Sequence, residues 1–209
     1  MTTPLPADAE TLFARLRDSL KDALGVSCNG QAQEGPDALA GVDPTMPVGE
    51  SAAGSGAEAA QAGSAEAPAF IGIHTGGAWL AARLHAELGL SSPLGFLSSA
   101  FYRDDVQARG LSTRMQPTRI DFDVNGRDIV LVDDILHTGR TIRAALNEIF
   151  DYGRPARVRL AVLIDRGERE LPVQPDHVGA RLVLQPGEKL ALSQRTNGMF
   201  ELRVESVQA

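Results

Sequence analysis

Leu12, Leu16, Leu20 and Leu24 recur every four residues with Phe13 beside them, while Arg15, Arg17, Asp18, Lys21 and Asp22 take the intervening positions. That spacing gathers the apolar side chains on one face and predicts an amphipathic first helix packed on a core. From residue 25 to 68 the periodicity stops, aromatic residues are absent, and Gly, Ala, Ser, Pro and Glu dominate. Such a segment buries too little apolar area to offset the entropy of ordering it. It is expected to be a disordered insertion, a tether between the first helix and the first core strand.

The pattern returns at Ala69. A short apolar run, Ala69 to Ile73, meets His74-Thr75-Gly76-Gly77, after which Leu80, Leu84 and Leu88 repeat at helical spacing up to Gly89; this predicts strand, loop and helix. Leu94 to Tyr102 reads as a second strand, followed by a polar surface loop from Arg103 to Pro117. Ile120, Phe122 and Val124 alternate with polar residues, Asn125-Gly126 supplies a tight turn, and Ile129 to Val132 form an unbroken apolar run. That order predicts a hairpin leading into a central strand buried on both faces. A helix over Thr141 to Tyr152 ending at Gly153, a strand over Val158 to Ile164, and short late strands over 181 to 185 and 199 to 204 complete the reading. Strands alternating with helices indicate an α/β domain, a mostly parallel central sheet flanked by helices. The organisation expected is a helix over residues 1–24, the insertion over 25–68 and an α/β core over 69–209.

Charge changes the picture little. The formal net charge of -7 comes from six acids and no Lys or Arg within residues 25–68, which leaves 20 basic and 21 acidic residues elsewhere. The acidity therefore belongs to the insertion and does not argue against a nucleic-acid face on the body. Cys28 is the only cysteine, which excludes an intrachain disulfide or a cysteine-based metal cluster. With no apolar signal core and no run of 18 apolar residues, the expected location is the cytoplasm.

The chemistry concentrates in Ile129-Val130-Leu131-Val132-Asp133-Asp134-Ile135-Leu136-His137-Thr138-Gly139-Arg140-Thr141. Ligands of open parallel sheets bind at the carboxyl ends of strands, where Asp133 and Asp134 fall. Thr138 to Thr141 can wrap an anion with N–H groups and hydroxyls at a helix N-terminus. The spacing suits a sugar phosphate, with carboxylates on adjacent ribose hydroxyls and the loop on a phosphate. Asp133-Asp134 alone would fit equally well as two solvated acids before a Thr-capped helix. The loop is not that of an ATPase, because it lacks the lysine and the upstream glycine that such a phosphate loop requires.

With its Thr-Gly-Arg-Thr ending, this segment resembles the phosphoribosyl pyrophosphate motif of type I phosphoribosyltransferases. Gly72-Ile73-His74-Thr75-Gly76-Gly77, Tyr102-Arg103-Asp104-Asp105 and Ile164-Asp165-Arg166-Gly167-Glu168-Arg169-Glu170-Leu171-Pro172 extend the resemblance to the PyrR family, over residues 69 to about 205. The resemblance implies conversion of uracil and phosphoribosyl pyrophosphate to UMP and pyrophosphate with Mg²⁺ held mainly through substrate. It also implies UMP-dependent binding of pyrimidine-operon mRNA in some bacteria, and a homo-oligomer. By the same resemblance Thr75 and Gly76 would hold the pyrophosphate, and the loop of Arg103 would close over the site. Asp133, Asp134, Ile135, Leu136, His137, Thr138, Gly139, Arg140 and Thr141 would bind the ribose phosphate, Asp133, Asp134 and Arg103 would be catalytic, and Asp165 and Arg166 would meet the base. One departure stands out: family members often carry Lys-Thr-Arg-Gly at the pyrophosphate loop, and Gly76 replaces that arginine. Two rivals remain, a non-catalytic RNA-binding regulator, suggested by 18 arginines against two lysines, and a transferase for a purine or orotate.

Overall fold

The computed structural model describes residues 3–26, 67–98 and 116–206. The expected insertion, the Arg103 loop and the end of the second predicted strand fall largely or wholly outside them. Helix α1 (Ala9–Leu24) opens with Asp8 as its cap, whose carboxylate accepts the Thr11 N–H at 3.0 Å. Strand β1 (Ala69–Ile73), helix α2 (Gly76–Glu87) and strand β2 (Leu94–Leu97) follow. Then come β3 (Asp128–Leu136), α3 (Arg140–Tyr152), β4 (Arg157–Asp165) and β5 (His177–Arg181). Strands β6 (Glu188–Gln194) and β7 (Phe200–Ser206) form a separate antiparallel pair.

The main sheet has the order β2-β1-β3-β4-β5, and every pair in it is parallel. Its central strands are apolar because both faces are covered. Val130 and Val132 pack with Leu12, Leu16 and Leu20 of α1, Leu80 and Leu84 of α2, and Phe200 and Leu202 of β7. Ile129 and Leu131 point the other way, toward Ile142 and Ile149 of α3. Burial of each such leucine or isoleucine contributes about 1.5–3 kcal/mol, so the alternation along β3 ties helices to both sides of the sheet. None of the described helices is long and apolar enough to cross a membrane.

The predicted hairpin is not formed. Both edges of β3 are taken by the parallel neighbours β1 and β4, which leaves no edge for residues 120–124. That stretch is instead a loop whose buried Ile120 and Val124 anchor it in the core, with one bridge between Arg119 and Phe96. The strand expected over 199–204 is present within β7, whereas that expected over 181–185 is not. Residues 182–185 leave the sheet after β5, and β6, whose own apolar alternation is short and interrupted, is an additional strand that pairs with β7.

One contact group joins the first helix to the last strands. The Arg83 guanidinium of α2 lies 4.4 Å from the Phe13 ring centre and 5.1 Å from that of Phe200. It is paired with Glu10 and Glu87 at 2.8 Å each. Glu10 also accepts the Phe200 N–H at 2.6 Å.

Candidate active site

Strands β1 and β3 are neighbours, with β2 beyond one and β4 beyond the other. Connections therefore diverge at this pair, the place where open α/β sheets leave a crevice at the carboxyl ends. The chain turns from β1 into α2 through His74 and Thr75, and from β3 into α3 through His137, Thr138 and Gly139. The N-cap residues of these helices, Thr75 and Gly139, make no side-chain cap bond, although the Arg140 N–H reaches Thr138 Oγ1 at 3.4 Å; in α1 the cap Asp8 accepts the Thr11 N–H. First-turn N–H groups without intrahelical partners are ready donors for an anion.

The two loops touch through glycine. A Cβ on Gly76 would lie 2.6 Å from Cγ and 2.9 Å from Cβ of Asp134, so the Asp134 carboxylate rests on the bare Cα of the neighbouring loop. A Cβ on Gly77 would lie 2.9 Å from the Asp133 Cα and closer still to the Val132 carbonyl oxygen. Asp133 is 3% exposed, and its Oδ1 accepts the Asp134 N–H at 3.0 Å; Asp134 itself is partly open. The pair thus divides into a buried carboxylate that orients its neighbour and one that borders the crevice.

The His74–Thr75 peptide is cis. The His74 ring lies 5.6 Å from that of Phe96, and burial pushes its imidazole below the ordinary pKa, which favours the neutral form. Its backbone N–H donates to the Leu97 carbonyl at 2.8 Å, fixing the loop to β2.

A third segment, residues 166–173, closes on the β3 loop. The Arg166 N–H donates to the Leu136 carbonyl at 2.9 Å, and the Glu170 and Leu171 N–H groups donate to the Thr138 carbonyl at 3.1 and 3.2 Å. His137 Nε2 lies 3.0 Å from Glu168 Oε2, and Arg140 Nε donates to Glu170 at 2.8 Å. Asp165 is buried, and its Oδ1 accepts from the Gly167 N–H at 2.9 Å and from Arg169 Nη2 at 2.5 Å. Arg166 behaves differently: its Nε is buried without a hydrogen-bond partner and its nearest carboxylate, Glu168, is 3.9 Å away. Burial lowers the pKa of that guanidinium, with Glu168 acting in the opposite direction.

Of the residues singled out in the sequence, Thr75, Gly76, Asp133, Asp134, His137 to Thr141, Asp165 and Arg166 converge on the carboxyl ends of β1, β3 and β4. Ile135 and Leu136 lie between them, with side chains turned into the apolar clusters. Arg103 lies outside the described residues. Sequence reasoning passed over Arg169, Glu168 and Glu170, whose contacts depend on the turn after Asp165; the acid-base alternation from Asp165 to Glu170 was the available signal. Among the described residues no three His, Cys, Asp or Glu side chains converge as a metal-binding group.

The hypoxanthine phosphoribosyltransferase of Trypanosoma cruzi shares this fold, with a TM-score of 0.54 and 15% identity over 98% of this chain and 97% of that one. Residues 54–182 match the family model of the phosphoribosyl transferase domain, and the chain belongs to that class. It is 56% identical over 128 residues to the bifunctional protein PyrR of Nitrosococcus oceani, across 60% of this chain and 72% of the relative. It is 48% identical over 151 residues to the bifunctional protein PyrR of Pseudomonas fluorescens, across 72% of this chain and 89% of the relative. The chain is a member of the PyrR family.

Proposed function

We propose that the chain is a uracil phosphoribosyltransferase that makes UMP and pyrophosphate from uracil and phosphoribosyl pyrophosphate. The observation that carries the reading is the Asp134 carboxylate resting on Gly76 in the first turn of α2, at the end of the strand that runs on through Thr138 into the N-terminus of α3. One anion site on each side of a ribose-binding acid suits a sugar that bears phosphate at one end and pyrophosphate at the other.

In this reading N1 of uracil forms the bond to the anomeric carbon as the bond to the pyrophosphate oxygen breaks, and the N1 proton is released. The Thr138–Thr141 turn holds the 5′-phosphate, Thr75 and Gly76 face the pyrophosphate, and Asp134 holds the ribose hydroxyls with Asp133 orienting it. These groups position the sugar and favour positive charge developing on it, so no protein nucleophile is needed. An Mg²⁺ held mainly through substrate and water would find hard oxygen ligands at Asp134, and would supply positive charge against the leaving pyrophosphate. Arg166, whose side chain is 15% exposed with Glu168 3.9 Å from Nη2, supplies a guanidinium donor for a base carbonyl.

The test is release of UMP and pyrophosphate from purified protein given phosphoribosyl pyrophosphate, Mg²⁺ and, in parallel, uracil, orotate, adenine, guanine or hypoxanthine. Turnover with uracil alone is expected; turnover confined to another base would sink the uracil assignment. A second reading, UMP-responsive binding of pyrimidine-operon mRNA, is favoured by membership of a family whose relatives carry the name bifunctional. Salt-dependent filter binding to the chain's own operon leader, with and without UMP, checks it; absence of a UMP effect counts against it.

A further inference from the structure

We infer that Arg169 is a positioning residue that sets where the base is held relative to the ribose phosphate. The inference rests on the transferase reading above and concerns a side chain that would not touch substrate.

Its guanidinium is an internal hub, 13% exposed beside an Asp165 side chain that is 7% exposed. Nε donates to the Val173 carbonyl at 3.0 Å, Nη1 to the carbonyls of His137 at 2.8 Å and Gly167 at 2.9 Å, and Nη2 to Asp165 Oδ1 at 2.5 Å. Four of the five N–H donors of an arginine are thereby used, on three separate pieces of chain. One is the end of β4, one the loop that follows it, and one the turn between β3 and α3.

The backbone is bent to allow this. Gly167 and Glu168 both have positive φ, 74° and 54°, a conformation that is rare for a residue such as glutamate and persists only where neighbours impose it. The bend returns Arg169 toward Asp165, and the next two N–H groups reach the Thr138 carbonyl. Asp165 therefore acts through Arg169 and the Gly167 N–H, to which its buried Oδ1 is committed. Arg166, on the same corner, keeps an unbonded N–H. The two arginines have separate tasks: Arg169 holds the segment, and Arg166, held by no close hydrogen-bonding carboxylate, is the one assigned above to the base.

Lysine cannot replace this hub, since a single ammonium lacks the planar fork that reaches acceptors on several sides. Arg169→Lys and Arg169→Ala are compared with the wild-type full chain by amide hydrogen exchange, uracil KM and phosphoribosyl pyrophosphate Kd. In both variants the β3 and β4 amides are expected to stay protected, while those of Glu170 and Leu171 exchange at least about tenfold faster. The uracil KM is expected to rise about tenfold or more, while the Kd changes less than about threefold. Asp165→Asn should shift the uracil KM in the same direction, and combining it with Arg169→Lys should add little. An unchanged uracil KM, unchanged exchange at Glu170 and Leu171, or equal losses for both substrates would overturn the inference. Should the wild type fail to use uracil, the transferase reading falls by itself, and hydrogen exchange alone decides whether Arg169 holds the segment.

Discussion

The Cα of Gly76 lies against the carboxyl group of Asp134, so closely that a methyl group there would stand 2.6 Å from Cγ. Gly76→Ala therefore has to displace the acid that borders the crevice, and kcat/KM is expected to fall by about a hundredfold, as misplacement of a reacting group by about 1 Å can do. Gly77→Ala meets the backbone of β3 instead. It is expected to cost about 1–3 kcal/mol of stability from forced overpacking. Steady-state kinetics and denaturant unfolding on both variants separate the effects; equal behaviour would contradict the contact geometry.

Asp133→Asn with Asp134→Asn keeps the shape of both side chains but removes both charges. Secondary structure and melting temperature should persist, and kcat/KM should drop by about a hundredfold or more if the charges stabilise the transition state. Normal activity in the double variant would refute the role assigned to Asp134. Asp133→Ala should also cost about 1–3 kcal/mol of stability, because the Asp134 N–H loses its acceptor.

Stability should decline on mild acidification. His177 is 8% exposed, its Nδ1 lies 2.9 Å from Ser19 Oγ, and burial holds its pKa below the ordinary 6.5, with Asp176 opposing and Arg159 reinforcing the shift. The unfolded chain then takes up the proton at higher pH than the folded one, so stability is full above 6.5 and is lost as pH falls toward the depressed value. Thermal unfolding of wild type and His177→Gln between pH 7 and about 5, above the range of most carboxylates, should show the steeper decline in wild type. Parallel curves would remove His177 as a source.

Arg83 should matter for stability out of proportion to its partial exposure, because it lies against two aromatic rings as well as two carboxylates. Arg83→Lys is expected to cost about 1 kcal/mol, the planar cation that stacks on Phe13 and Phe200 being lost. Urea unfolding measures it, and an unchanged midpoint would show the stacking to be inconsequential.

The parts of the fold legible in the sequence are those set by local pattern. Ala69–Ile73 is the strand that its apolar run predicts, and the leucines at four-residue spacing bury the face of α1 that they define. The failure at residues 120–132 has a clear cause: alternation and an Asn-Gly turn are local signals, whereas the identity of β3's neighbours depends on β1 and β4, more than twenty residues away on either side. The same limit applies at the site. Asp133 and Asp134 are visible as a motif, but their division into a buried and a bordering acid, and the support from Arg169, arise only when separate loops are brought together.

The bond from Glu10 to the Phe200 N–H, with the Thr3 N–H bonded to Glu188 at 2.8 Å, has a consequence for biosynthesis. A helix made among the first residues can acquire its final neighbours only once β6 and β7 have left the ribosome. Closing contacts this remote in sequence is slow, and exposed apolar surface in the interval invites aggregation. Nascent α1, with Leu12, Leu16 and Leu20 uncovered, is therefore the stretch where a chaperone holding the growing chain would have most to protect.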